Sequence, residues 1–336
     1  MKASKQSFFK LVSFLFVMMI TLALTACGSS KDTATDQTGT QPDNQEQEEQ
    51  ISDTYEIEHA MGTTPIEGTP ERIVVLTNEG ADILIALGVK PVGAVKHWTG
   101  DPWYEYLADD LEGVEVVGEE TEPSLEAIMN VDPDLIIGSK LRHEAIYEQL
   151  AAIAPTVMSE TVGTVWKENT LLYAKAINKA EKGAELVQAW EERVVDFKEK
   201  YADKLETEVS ISRFQSSGGR LYYKGFPGSI IEMVGLHRPE AQSNIGDEVV
   251  GDLTIERIPE MDGDVIFYFV SDWEGTGEVY TIQEQWMEHD LWKNLEAVKA
   301  GNVVEVNDVF WNMAGGIQAA NIMLTDLDEF FATYEK

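Results

Sequence analysis

The sequence predicts an α/β protein of two similar lobes joined by a single long helix. Three observations predict it. From Arg72 onward, short apolar runs alternate with helical patterns, as in parallel β-α-β units. Residues 166–205 contain no proline, and Val187, Trp190, Val194, Phe197 and Tyr201 step by three and four, the stripe of an amphipathic helix. The segment 124–137 also aligns without gaps to 254–267, as expected for one copy of a unit in each lobe.

The elements follow in order. Lys2, Lys5 and Lys10 precede an apolar stretch over 11–26, too short for the ~20 residues of a spanning helix, so residues 1–26 read as a signal peptide. It ends in Leu24-Thr25-Ala26-Cys27, which resembles the lipobox of bacterial lipoproteins, with Cys27 as the lipidated first mature residue. Cleavage there removes those three lysines and no acid, so anionic headgroups give the mature chain no hold and the acyl chains must do the tethering. Residues 27–54 are polar and acidic, with too little apolar surface to fold, and are expected to form a flexible tether. The first lobe spans 55–163, with strands at 73–76, 91–95, 114–117 and 135–137. Helices are expected at 80–87, stopped by Gly88, and at 143–153. The linking helix takes 164–205, interrupted only by Gly183, and would reach roughly 50–60 Å at about 1.5 Å per residue. The second lobe spans 206–336, with strands at 209–213, 265–270 and 303–306. It closes on a helix carrying Ile317, Ala320, Leu324, Leu327, Phe331 and Tyr334. In the repeat, Ser124 and Thr254 suit N-cap positions, which puts Glu126 and Glu256 in a first helical turn.

Charge and composition narrow the function. There are 60 acids against 25 Lys and Arg, a formal charge of −35 that repels nucleic acid and anionic surfaces. The one cysteine permits no internal disulfide and no Cys-based metal cluster. The five histidines (His59, His97, His143, His237 and His289) are too dispersed for a zinc or manganese site, so no metal ligands are assigned. There is no G-x-S-x-G elbow, H-E-x-x-H helix or Walker A loop, so no catalytic residue is assigned either.

Four motifs, in this order behind a lipobox, carry a resemblance. They are Pro-Glu-Arg-Ile-Val-Val-Leu at 70–76, Pro123-Ser-Leu-Glu126 with Asp132-Pro-Asp-Leu-Ile-Ile137, Ile153-Ala-Pro-Thr-Val157, and Trp311-Asn-Met-Ala-Gly-Gly-Ile-Gln-Ala-Ala-Asn321. From Tyr55 to the C-terminus the chain resembles the iron(III)-siderophore binding lipoproteins of bacterial ABC importers. Trp98-Thr-Gly-Asp-Pro-Trp-Tyr104, Arg142, Arg213-Phe214 and Arg220-Leu-Tyr-Tyr223 look most like the hydroxamate and citrate-hydroxamate binders. The resemblance implies two Rossmann-like lobes on a helical backbone, the helical-backbone periplasmic-binding-protein fold. It also implies capture of a ferric siderophore between the lobes, no covalent cofactor, and a monomer on the outer face of a Gram-positive-type cell membrane. It further implies delivery to ABC permease subunits with a cytoplasmic ATPase. Haem- or vitamin B12-binding lipoproteins of the same fold are the near alternative, with Tyr222 or His97 as candidate haem ligands. A surface-anchored extracellular enzyme is the alternative from another class.

A ferric siderophore already saturates its iron with hard oxygens, so the protein must grip an oxygen-rich complex rather than ligate metal. Arginine forks and aromatic walls suit that task. Of seven arginines, Arg142 and Arg213 fall at C-terminal strand ends, one per lobe, where open α/β sheets gather ligands. Tyr222 follows Arg220 at the alternate spacing of a strand, so one of Tyr222 and Tyr223 should face the cleft. Trp98 and Tyr104 lie in a Gly/Pro-containing loop shared with Lys96 and His97. Trp311 and Asn312 precede the last helix. Arg72 is expected to be structural, Arg193 to pair with a nearby Glu, Arg257 to be exposed, and Arg238 is left open. Trp166, Trp190, Trp273, Trp286 and Trp292 are expected in the core or between lobes. The resemblance implies that Glu126 and Glu256 dock onto the two permease subunits, since equal charges at matched positions suit a two-fold partner.

Overall fold

The computed structural model describes residues 54–335 apart from 244, 247 and 274. The signal peptide, Cys27 and all of the tether but its last residue therefore lie outside the described residues. No helix among the described residues is long and apolar enough to cross a membrane. The chain enters through an antiparallel hairpin, β1 (Thr54–His59) and β2 (Gly62–Glu67).

The first lobe is a six-stranded sheet of β3 (Ile73–Val75), β4 (Gly93–Lys96), β5 (Glu115–Glu119), β6 (Glu122–Pro123), β7 (Leu135–Ser139) and β8 (Thr156–Ser159). Its order is β6-β5-β4-β3-β7-β8. Only the edge strand β6 runs antiparallel to its neighbour. The second lobe is a five-stranded mixed sheet, β11-β10-β9-β12-β13, of β9 (Val209–Gln215), β10 (Gly218–Tyr222), β11 (Val250–Leu253), β12 (Val265–Val270) and β13 (Val303–Glu305). The runs expected as strands are strands. The hairpins β1–β2, β5–β6 and β9–β10 were not legible, because their turns pair polar residues without apolar alternation.

The repeat occupies equivalent places. Each copy leads into the strand beside the first strand of its lobe, β7 beside β3 and β12 beside β9. The last aspartate of each copy pins the entry of that first strand. Asp134 accepts from the backbone N–H of Glu71 (2.8 Å) and Arg72 (2.9 Å), and Asp264 from that of Glu208 (2.9 Å). Ser124 caps the α-helix Leu125–Asn130 through Ala127 N–H at 3.2 Å. The second copy is a 3-10 helix, Ile255–Met261, since Pro259 stands where the first copy has Met129 and supplies no N–H to an α-helix.

The linking segment corrects one expectation. It is two helices, Trp166–Ala176 and Ala180–Lys200, rather than one over 164–205. The break falls at Asn178, whose φ of 57° is left-handed, a region Asn tolerates better than other non-glycine residues. Gly183 does not interrupt the helix. A Cβ there would lie 2.4 Å from the Ala174 Cβ, so its absence lets the two helices touch. The helix expected at 143–153 is likewise divided, into Lys140–His143, a 3-10 turn and Tyr147–Ala151. The apolar stripe of Ala180–Lys200 is buried as expected. It packs Trp190 edge-on to Trp166 (4.8 Å) and Phe197 on Phe331 (5.8 Å) of the last helix, Ile317–Thr333.

The last helix is a second tie. Asp82, on the first-lobe helix Asn78–Ala86, accepts from its free N–H groups at Gln318 (2.8 Å) and Ala319 (3.2 Å). Arg193 grips the same helix through Asn321 and Thr325, not through a glutamate. One continuous apolar cluster therefore runs through Val75, Trp190, Phe226, Phe267 and Phe331, from one sheet to the other.

Candidate ligand-binding cleft

Between the two sheets, at the C-terminal ends of their strands, lies a cavity of about 430 Å³. The first lobe supplies Trp98 after β4, Glu120 after β5, Arg142 after β7 and the loop 161–164 after β8. The second supplies Arg213 of β9, Tyr222 of β10, Trp273 after β12, and Asn312 with Met313 before the last helix.

The first-lobe wall is held by one buried network. The carboxylate of Glu120 accepts from the backbone N–H (2.9 Å) and side-chain amide (2.7 Å) of Asn78 and from Arg142 Nε (3.2 Å). The Asn78 carbonyl oxygen takes the backbone N–H of Trp98 at 3.2 Å. Trp98 and Arg142 are thus fixed against one another through two intermediaries. Glu120 takes Arg142 through Nε, which leaves the terminal nitrogens of the fork without an acidic partner among the described residues.

Arg213 is 4% exposed. It donates to the Tyr222 hydroxyl at 3.0 Å and to Gln215, while its Nε has no partner. Its guanidinium carbon lies 4.9 Å from the Trp273 ring and 5.8 Å from the Tyr222 ring. The burial of Tyr222 pushes its phenol up, keeping it neutral. Trp273 is 51% exposed and stands 6.3 Å from Trp98 across the cleft, the rings nearly parallel at 21°. On the floor, Glu79 accepts from Gly163 N–H and the Asn169 amide, both at 2.7 Å, and burial raises its carboxyl to about 8.

Of the residues expected here, Trp98, Arg142, Arg213, Tyr222 and Asn312 line this cavity. Arg220 lines an adjoining hollow and is tied to Asp252 at 2.6 Å. Two do not reach it. Tyr104 is 1% exposed, its ring 4.3 Å from His97 inside the first lobe. Trp311 is fully buried on Phe267, with its indole N–H on Asp326 at 2.7 Å. The reason is local: Val309–Met313 is a π-helical turn, which sends Trp311 inward and Asn312 and Met313 to the cleft. Of the two places expected for Trp273, the structure gives the one between the lobes, where it stands half-exposed as cleft wall against Trp98. Like Trp98, it is a tryptophan in a Gly-containing loop just past a strand, the pattern that suits a binding wall. Glu120 gave no signal among so many acids. Arg238 lies behind the wall, donating to the Tyr222 carbonyl and to Gln242. Glu126 and Glu256 are both exposed. No cluster of three potential metal ligands occurs among the described residues.

Known proteins resemble this chain throughout its length. The family described as periplasmic binding protein matches residues 73–309. The probable siderophore-binding lipoprotein YfiY of Bacillus subtilis is 47% identical over 330 residues, covering 96% of this chain and 98% of its own. The achromobactin-binding periplasmic protein of Dickeya dadantii is 33% identical, covering 77% of this chain and 85% of its own. Among solved structures, Staphylococcus aureus SirA complexed with staphyloferrin B superposes with a TM-score of 0.79 at 37% identity, covering 83% of this chain and 99% of that one.

Proposed function

The chain belongs to the periplasmic binding protein family, and from that premise we propose that it is an extracytoplasmic lipoprotein that captures a ferric siderophore between its lobes and delivers it to an ABC importer. The observation that carries this reading is the cleft itself: one arginine from each lobe and aromatic walls from both, with no cluster of potential metal ligands among the described residues. A chelated iron is coordinatively complete, so its outer oxygens seek hydrogen-bond donors and its organic frame seeks aromatic faces. Arg142 and Arg213 supply the donors. Trp98, Trp273 and Tyr222 supply the faces. In so acidic a chain, fixed cations inside a cleft form a local basin for an anionic complex.

Haem is the weaker reading. His97 is buried off the cavity and desolvation lowers its pKa to about 3, while the Tyr222 hydroxyl is engaged by Arg213. The relatives are named as binding proteins, and the cleft is read as a binding site with no catalytic step. Acyl chains on Cys27 would hold the protein at the outer face of the membrane, with the polar tether giving the lobes reach. Glu126 and Glu256, exposed on equivalent repeat units, would meet the permease subunits.

Tryptophan-fluorescence quenching with ferric hydroxamates, citrate-type chelates, catecholates and haem tests the reading. Saturable quenching by at least one iron chelate at micromolar or tighter affinity is expected. If only haem binds, or nothing in the panel does, the reading is wrong.

A further inference from the structure

The interlobe cavity is not alone. A second hollow of about 360 Å³ adjoins it in the second lobe, and Arg213 and Trp273 line both. The Arg213–Trp273 stack is therefore the partition between two chambers. Behind it stand Gln215, Ser216, Ser217 and Arg220.

The strand register makes this chamber electrostatically incomplete. Arg213 of β9 and Arg220 of β10 are directly opposed partners, a like-charge pair that destabilises a sheet unless an anion answers it. Asp252 answers Arg220 through Nε alone, at 2.6 Å. Among the described residues no carboxylate pairs with Arg213, and its buried Nε has no partner. The other local acid, Asp272, also lines the hollow, but its carboxylate is held by the backbone N–H of Thr276 (3.1 Å) and Gly277 (2.9 Å) and forms no ion pair with either arginine among the described residues. A third hollow, about 300 Å³, also lined by Trp273, has the opposite character, carrying Asp272, Glu305 and Asp308 with no Lys or Arg. Asp272 lines both hollows, so Trp273 separates a side that carries two arginines and one aspartate from a side that carries acids alone.

We propose that the hollow behind Arg213 and Trp273 is a second subsite, which takes a carboxylate-bearing arm of the ligand while the iron-bearing head occupies the interlobe cavity. This rests on the siderophore reading and deepens it: the preferred ligand is bipartite and its arm is anionic. An ammonium arm would be repelled there.

The test holds the head constant and varies the arm. Ferrioxamine B is a linear trihydroxamate chelate ending in an ammonium. Acetylation of its amine makes the arm neutral, and succinylation makes it a carboxylate. Titrated into the full mature protein by tryptophan quenching, the succinyl form should bind roughly tenfold tighter than the acetyl form, the scale of one charge-assisted contact at a part-exposed guanidinium, with the ammonium form weakest. Arg220→Gln should bring the succinyl-to-acetyl ratio close to one, and Arg220→Lys should restore part of it. Circular dichroism confirms that each variant is folded. Equal affinities, a preference for the ammonium, a ratio untouched by Arg220→Gln, or no binding of any of the three overturns the second subsite. The siderophore reading is judged separately by the wider panel, and it stands if any iron chelate there binds.

Discussion

Arg213 concentrates the argument at the scale of single residues. It is nearly buried, stacked between two aromatic rings, and lacks an acidic partner among the described residues. Its removal deletes no ion pair, so it should affect binding more than folding. Arg213→Ala should weaken ferric chelate affinity by about 10- to 100-fold, as expected for losing one or two charged hydrogen bonds of roughly 1.5–3 kcal/mol in all, with little change in melting temperature. Unchanged affinity in the quenching titration would remove Arg213 from the site. Glu79 gives a pH signature. Burial chiefly raises its carboxyl to about 8, against the pull of its two hydrogen bonds, and burial raises that of Asp82 to about 6. A carboxyl raised on folding stabilises the native state fully below its unfolded value of about 4, and that contribution is lost as pH climbs through the folded value. Burial lowers His97 and His143, so their pH dependence is confined to the range below about pH 6.5 and their contribution is constant above it. Between about pH 7 and 8 the fall in melting temperature should therefore trace mainly to Glu79 and level off above that, and Glu79→Gln should flatten it. A variant with the same slope as the wild type would show that Glu79 is not the titrating group.

At the scale of elements, legibility followed the strength of periodicity. The strands β3, β7 and β12 were legible because each carries an unbroken apolar run that is buried on both faces, and β9 because Val209 and Ile211 alternate with serines. The repeat was legible because Asp134 and Asp264 do the same work in each lobe. The break at Asn178 was not, since the side-chain pattern continues across it and only the backbone turns. Gly183 was visible as a break signal but marks a contact instead. That contact can be tested. Gly183→Leu introduces a good helix former whose side chain must enter space already filled by Ala174, and overpacking of this kind costs typically 1–3 kcal/mol. Ala189→Leu, at an exposed position of that helix, should fall within about 0.5 kcal/mol of neutral. Chemical denaturation of the two variants compares them directly. Equal stabilities would mean that the helices do not meet closely at Gly183. The cleft was partly legible for a related reason. Arg142 and Arg213 lie where topology alone places ligands, but which side of the π-turn Trp311 would take depends on a backbone irregularity that leaves no mark in composition.

For the whole molecule, the question is what distinguishes a loaded from an empty protein. The lobes are tied at several points at once. Asp82 holds the N-terminus of the last helix, Trp166 meets Phe226 at 6.4 Å, Tyr106 meets Phe310 at 5.1 Å, and one apolar cluster continues beneath them. Wide opening would break these contacts together, and aromatic pairs alone are worth about 0.5–1.5 kcal/mol each beyond their buried area. A ligand shifts such an equilibrium only by its differential affinity for the two states, so motion between the lobes should be small. Glu126 and Glu256 sit on opposite lobes of this frame, and their separation should hardly depend on load. If they set the docking geometry, the permease should accept the empty protein almost as readily as the full one. In proteoliposomes carrying the importer, ligand-free protein should compete with loaded protein, inhibiting uptake at a concentration within about threefold of the loaded protein's own half-saturation. Glu126→Lys with Glu256→Lys should abolish both uptake and competition while ligand binding in solution persists. Failure of the empty protein to compete would mean that the lobes move enough to be read at the docking face. Competition by the doubly reversed variant would mean that the two glutamates do not dock.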